Sequence, residues 1–186
     1  FPVGELWLHP SPVGKAAVDR LAEAAVATGV PVRAPLAGAV LRVGDLILEV
    51  LAPWPALLGA GGDDASNDAS IVVRASSGGS AVLLAGDSGA AVHARLLDSV
   101  RHRLRADVLV LPHHGSSTSD LRLIGAVTPA VAVVSAGRDN PYGHPHREVL
   151  AELARLGIPV RRTDEEGSVT VRLPSRRPVP AGAGGG

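Results

Sequence analysis

The 186-residue sequence has no cysteine. That excludes disulfides and thiolate metal ligands, so any metal must be held by histidine and carboxylate. It does not fix a compartment, because a cysteine-free domain tolerates either redox state. There is no methionine either, and the chain opens on Phe1. A translation product starts with Met, so the expectation is a piece of a longer protein. No apolar run approaches the ~20 residues of a transmembrane helix. No basic stretch followed by an apolar segment marks a signal peptide at Phe1. Eighteen basic residues balance eighteen acidic ones. No net field therefore advertises a nucleic-acid partner.

What is present is enough chain for one domain with a core. Val3 to His9 predicts a strand, and Ser11-Pro12 predicts the start of a helix. Val18, Leu21, Ala25 and Thr28 share one face of that helix, and a short strand follows at Val30 to Arg33. Ala39 to Arg42 and Leu46 to Leu51 predict a hairpin, and Ser70 to Ala75 with Ser80 to Ala85 a second. Gly59 to Asp68 reads as a polar loop. Helices are expected over Gly89 to Leu104, Asp120 to Val127 and His146 to Leu156. Strands are expected from Asp107, from Ala130, over Ile158 to Arg162 and over Ser168 to Leu173. Hairpins followed by alternating strands and helices give the α/β class. Residues 174–186 are low-complexity and expected to be disordered.

Three apolar strands each end in a side chain able to bind metal or move a proton. The first ends in Gly86-Asp87, the second in His113-His114-Gly115-Ser116, and the third leads to His144-Pro145-His146. In α/β sheets the carboxyl edge of the strands is where ligands bind. Asp87 reads either as a helix cap or as a carboxylate bridging two cations. Neighbours on a strand point to opposite sides, so one of His113 and His114 is expected to ligate. The other would give a proton to a leaving group. The alternative is a hydrogen-bonded turn pair. His144 and His146 read as ligand-type residues in a rigid loop or as exposed imidazoles. Ser116 either caps the next helix or helps bind an anion. Asn67-Asp68 reads first as an Asx-turn. His9, His93 and His102 show no partner pattern and read as surface or core histidines. Arg95, Arg101, Arg103 and Arg105 read as a solvated face or a basic, phosphate-facing edge.

Four segments occur in a familiar order and spacing: Ser66 to Arg74, Leu83 to Asp87, Ala106 to Ser116 and Tyr142 to His146. Together they resemble the metallo-β-lactamase-fold domain of ComEC-type competence proteins, which take DNA into bacteria. The resemblance covers residues 1–173. It implies an αββα sandwich, here lacking its N-terminal part and with it the family's first His/Asp metal motif. An apolar sheet face should then be open, and metal binding by this piece alone should be weak. The resemblance further implies one or two divalent ions, zinc or manganese, and no small-molecule cofactor. Asp87, His113 and His144 would be metal ligands, and His114 and Asp87 the catalytic pair. Asn67, Ser116 and His146 would contact substrate. The implied function is a metal-dependent phosphodiesterase or nuclease acting on DNA during uptake. The implied setting is a soluble domain attached to the membrane channel of its parent protein. The alternatives are a non-catalytic docking or DNA-binding module, and a small-molecule metallo-hydrolase of the same fold.

Overall fold

A computed structural model of the chain describes residues 2–9, 16–58 and 65–173. The hairpins form where expected. Strands β3 (Val40–Val43) and β4 (Leu46–Ala52) meet around Gly44-Asp45. Strands β5 (Val72–Ser77) and β6 (Ser80–Leu84) are joined by Gly78-Gly79, both at positive φ. Positive φ at both central residues is what a tight type I′ hairpin requires, and only glycine adopts it freely. From β6 onward the chain alternates. Helix α3 (Ala90–Ser99) leads to β7 (Val108–Val110), α4 (Arg122–Val127) to β8 (Val131–Val134), and α5 (Arg147–Arg155) to β9 (Val160–Arg162). The result is a seven-stranded sheet in the order β3-β4-β5-β6-β7-β8-β9. It is antiparallel up to β6 and parallel beyond.

The two faces of this sheet differ. Ala81, Leu83, Leu109, Ala132 and Val134 point to one side and pack with Val92, Leu96, Leu123, Ile124, Val149 and Leu153 of the three helices. Each fully buried leucine there contributes roughly 2 kcal/mol of transfer free energy. The strands alternate, so the intervening residues line the other face. These are Leu48, Val73, Val82, Leu84, Val110 and Val133, placed side by side by the strand register. Leu84 is 41% exposed and none of the six joins the core cluster, but Val50 and Val108, which the register sets on this face beside Val73 and Val82, are buried at 0% and 4%. The apolar sheet face that the sequence implied is therefore open only in part.

A separate two-stranded sheet pairs β1 (Leu6–Trp7) with β2 (Val32–Arg33) in parallel, across helix α1 (Ala16–Ala27). This is the expected strand-helix-strand unit, although β1 is shorter than Val3 to His9. Helix α1 departs from the predicted apolar stripe. Ala25 is buried, but Leu21 is 49% exposed. The predicted start at Ser11 lies outside the described residues.

Three further expectations are corrected. The helix after Asp87 ends at Ser99. Val100 leaves helical geometry, and the chain tightens into a 3-10 turn at Arg101–Arg103. Asn67-Asp68 belongs to a single helical turn, α2 (Ala65–Asp68), instead of an open Asx-turn. No strand forms over Ser168 to Leu173. Instead Thr163–Glu166 makes one helical turn, α6. Its acids are drawn back onto the end of β9: Arg162 pairs with Asp164 and Glu165, and Arg161 with Glu166. The basic edge also resolves in part. Arg103 joins Arg74 on Glu49, and Arg95 lies over the Trp54 ring. The tail at 174–186 lies outside the described residues.

Candidate metal centre

Strands β6, β7 and β8 run parallel, so their carboxyl ends share one edge of the sheet. Asp87, His113-His114 and the loop carrying His144 all emerge there. Backbone hydrogen bonds tie the three loops together. The His113 N–H donates to Gly86 O at 2.8 Å, and the His146 N–H donates to Gly115 O at 2.9 Å. At Gly115, a β-carbon would lie 2.8 Å from that of Pro145, and φ is +82°. Glycine is thus required where the second and third loops touch.

The paired histidines do not continue the strand. His113 (φ 46°) and His114 (φ 58°) both adopt the left-handed conformation. Such geometry costs about 1–3 kcal/mol per residue and concentrates at functional sites. It also overturns the expectation that strand alternation separates the two rings. Their centroids lie 6.2 Å apart, and the His144 ring is 5.7 Å from His113 and 6.2 Å from His114. His146 adds a fourth ring 5.0 Å from His144.

His114 is the most informative. Its Nδ1 lies 2.6 Å from Ser135 O. A carbonyl only accepts, so Nδ1 carries the hydrogen. Nε2 then presents its lone pair, and it faces Asp87 Oδ1 at 3.5 Å. Two acceptors facing each other at that distance call for a positive charge between them. Fixing one imidazole nitrogen through a backbone carbonyl is also how metal-ligating histidines are oriented. The second sign of a missing partner is His144 Nδ1, which is buried and bonded to nothing. Burial is the main cause that lowers the pKa of His144. The neighbouring His146, His113 and His114 add to it, while Asp87 opposes. The ring is thereby held neutral, the form that ligates.

Nitrogen and oxygen donors of this kind suit a divalent cation. Their number does not suffice to enclose one. Among the described residues no three His, Asp or Glu side chains converge on a common point. The remaining site candidates are placed as follows. Ser116 is 5% exposed, and its Oγ lies 3.1 Å from the Thr118 hydroxyl and accepts from the Thr118 N–H. His146 Nε2 lies 3.3 Å from Tyr142 O, and Nδ1 lies 3.9 Å from Glu148. Asn67 is half-buried in α2, whose following Ser70 packs 3.4 Å from where a Gly86 β-carbon would be.

Two residues escaped the sequence reading. Tyr142 lay within a recognised segment but received no role. His93 showed no partner pattern and was read as a surface or core histidine; it is a core one, fully buried, and it has partners. The Asp120 N–H donates to its Nδ1 at 3.0 Å, so Nε2 carries the hydrogen and faces Ser88 Oγ at 3.1 Å. Ser88 in turn donates to Ala85 O. His93 thus anchors the residue beside Asp87 to the segment that follows His113-Ser119. The available signal was its position beside Val92 in the apolar stripe of α3, where an unpaired imidazole would be costly.

Burial lowers the pKa of His93 from 6.5 to about 4, against the opposing pull of Asp120 and Ser88. The unfolded chain therefore binds this proton below pH 6.5 while the folded chain does not. Stability should be complete above pH 6.5 and fall as pH drops toward 4, by about 3 kcal/mol from this group. Denaturant titrations at pH 7 and pH 4 measure that loss. His93→Gln, which keeps a donor to Ser88, should flatten the slope.

The edge cluster and the sheet together define a mixed α/β domain that gathers histidines and a carboxylate at the carboxyl edge of its parallel strands. No protein-family model matches the chain. Its sequence is 35% identical over 161 residues to ComE operon protein 3 of Bacillus subtilis, covering 85% of this chain and 20% of that protein. It is 38% identical over 108 residues to competence protein ComA of Neisseria gonorrhoeae, covering 58% and 16%. Recombination protein 2 of Haemophilus influenzae is 39% identical over 113 residues, covering 59% and 14%. The chain belongs to the ComEC-type family of competence proteins. It spans a fifth or less of the length of these relatives. Among solved structures, a putative metal-dependent hydrolase from Parabacteroides distasonis superimposes with a TM-score of 0.49 at 14% identity, covering 76% of this chain and 61% of that one. No helix among the described residues is long and apolar enough to cross a membrane.

Proposed function

We propose that this chain is part of a metal-dependent phosphodiesterase that cleaves DNA during bacterial DNA uptake, attached to the membrane channel of a longer parent protein. The observation that carries the reading is the His114–Asp87 pair: an imidazole fixed through Ser135 with its free lone pair aimed at a carboxylate 3.5 Å away. Asp87 and His114 would hold a divalent cation, zinc or manganese, with His144 beside them and further donors from outside the described residues. A cation held there would polarise a phosphoryl oxygen. The fixed tautomer favours His114 over His113 as ligand, reversing the roles first assigned. His113 would then be the proton donor to the leaving oxygen. Its Nδ1 has only a 3.5 Å contact to the Thr118 hydroxyl, which leaves the ring free to turn toward substrate. The relatives' names supply the competence context.

A second reading has its own support. With fewer than three converging donors among the described residues, this segment alone suits a docking or DNA-binding module. Cleavage assays separate the two, run on the 186-residue chain and on the same chain within a protein of its relatives' length. The phosphodiesterase reading expects cation-dependent cleavage of DNA by the longer form, lost in Asp87→Ala. Undiminished cleavage by Asp87→Ala would reject the site. No cleavage by either form with any divalent cation would favour the module.

A further inference from the structure

Beside the His114–Asp87 pair runs a groove of about 390 Å³, lined by His114, Ser135, Ala136, Gly137, Asn140, Tyr142 and His144. Its lining contains no Arg, Lys, Asp or Glu. The Asn140 side chain is already committed: its amide donates to Gly137 O and His144 O, and its oxygen accepts from the His144 N–H. The groove is thus poor in groups that would grip a phosphate or a sugar hydroxyl. Ala136 and Gly137 give it an apolar lining suited to a flat ring.

At its edge stands Tyr142, the one tyrosine of the chain. It is 75% exposed. A large aromatic ring held in water forgoes burial that the same ring would gain elsewhere. Tyr142 is not loose, however. Its plane lies within 17° of the His144 ring, with centroids 5.9 Å apart. The loop beneath it is braced by Asn140, by the His146 contact to Tyr142 O, and by Pro145 against Gly115. A braced loop that presents an aromatic face has already met most of the ordering cost of binding.

We propose that Tyr142 and this groove form a nucleobase subsite, which selects an unpaired, single-stranded nucleotide as substrate. The inference rests on the phosphodiesterase reading for its location and adds the strand form to it. A base can stack on Tyr142 only if it has left its own helical stack, so a duplex interior is excluded. Stacking on an aromatic side chain tolerates every base, because each has a π-face. Selection is therefore for strand form and not for sequence. The next phosphodiester along the strand then lies toward His114, which lines the same groove and faces Asp87.

The test is a binding measurement with chelator present, so that cleavage does not enter. Fluorescence anisotropy of the chain would be compared on a labelled thymidine 15-mer, the matching abasic 15-mer and the duplex of the first. The two single strands carry the same phosphodiester backbone, and the duplex carries two. Duplex binding no tighter than that of the abasic strand is the expected result, and duplex binding like that of the thymidine strand counts against the subsite. The subsite predicts that the thymidine strand binds roughly tenfold more tightly than the abasic one, within the range of one to a few lost stacks. Tyr142→Ala should erase that preference, and Tyr142→Trp should retain it. Equal binding of thymidine and abasic strands by the unmodified chain overturns the proposal, as does an unchanged preference in Tyr142→Ala. Cleavage is scored separately, with divalent cation and the longer protein. Base preference without cleavage counts against the phosphodiesterase reading and leaves the subsite standing.

Discussion

Asp87→Ala should reduce cation-dependent phosphodiester cleavage by the longer protein on the order of 10²–10³-fold in kcat/KM, the size of effect seen when a key stabilising group is removed from an active site. The carboxylate is half exposed and lies past the end of β6. Its removal should therefore cost little stability. That separation is what marks a functional group: activity lost, unfolding midpoint nearly unchanged. His114→Ala should behave similarly, since it removes the one nitrogen aimed at Asp87. A double variant should be no worse than either single one if both side chains hold the same cation, because groups acting as a unit are not additive. Steady-state cleavage and urea melts on the four proteins check all of this.

Gly115→Ala should act through the backbone instead. The new methyl would meet Pro145 at 2.8 Å, in a residue at φ +82°. Neither side yields easily: Pro145 is a ring in a buried position, and Gly115 O holds the His146 N–H. Strain at positive φ and overpacking each cost about 1–3 kcal/mol, so a loss of about 3 kcal/mol is expected. Gly143→Ala is the control. It also has positive φ (+70°), but its β-carbon would meet nothing within 4 Å. That change should cost about 1 kcal/mol. Urea midpoints of the two variants measure the difference. Cleavage by Gly115→Ala should fall further than its folded fraction, since the clash pries His144 away from His113 and His114.

Much of this site was legible before any coordinates. Apolar runs ending in Gly86-Asp87 and Pro112-His113-His114 announce central strands, and the parallel β6-β7-β8 arrangement brings their ends to one edge. The hairpin turns were legible for the same reason, because Gly78-Gly79 leaves few other conformations. What stayed hidden depends on contacts far apart in sequence. Left-handed geometry at His113 and His114 occurs where the loop bonds to Gly86 on one side and meets Pro145 at Gly115 on the other, and no local propensity reveals it. The role of His93 needs Ser88 and Asp120, which lie in two other loops. The acids after β9 were read past because Ser168 to Leu173 alternates like a strand. The ion pairs of Arg161 and Arg162 compete with that local preference and turn the chain back at Thr163–Glu166.

The most direct test of the central claim is anomalous diffraction from crystals of the longer protein grown with manganese. The account predicts an anomalous peak within ligand distance of both Asp87 Oδ1 and His114 Nε2. A peak held by other residues, or none at saturating manganese with these two side chains ordered, would contradict it.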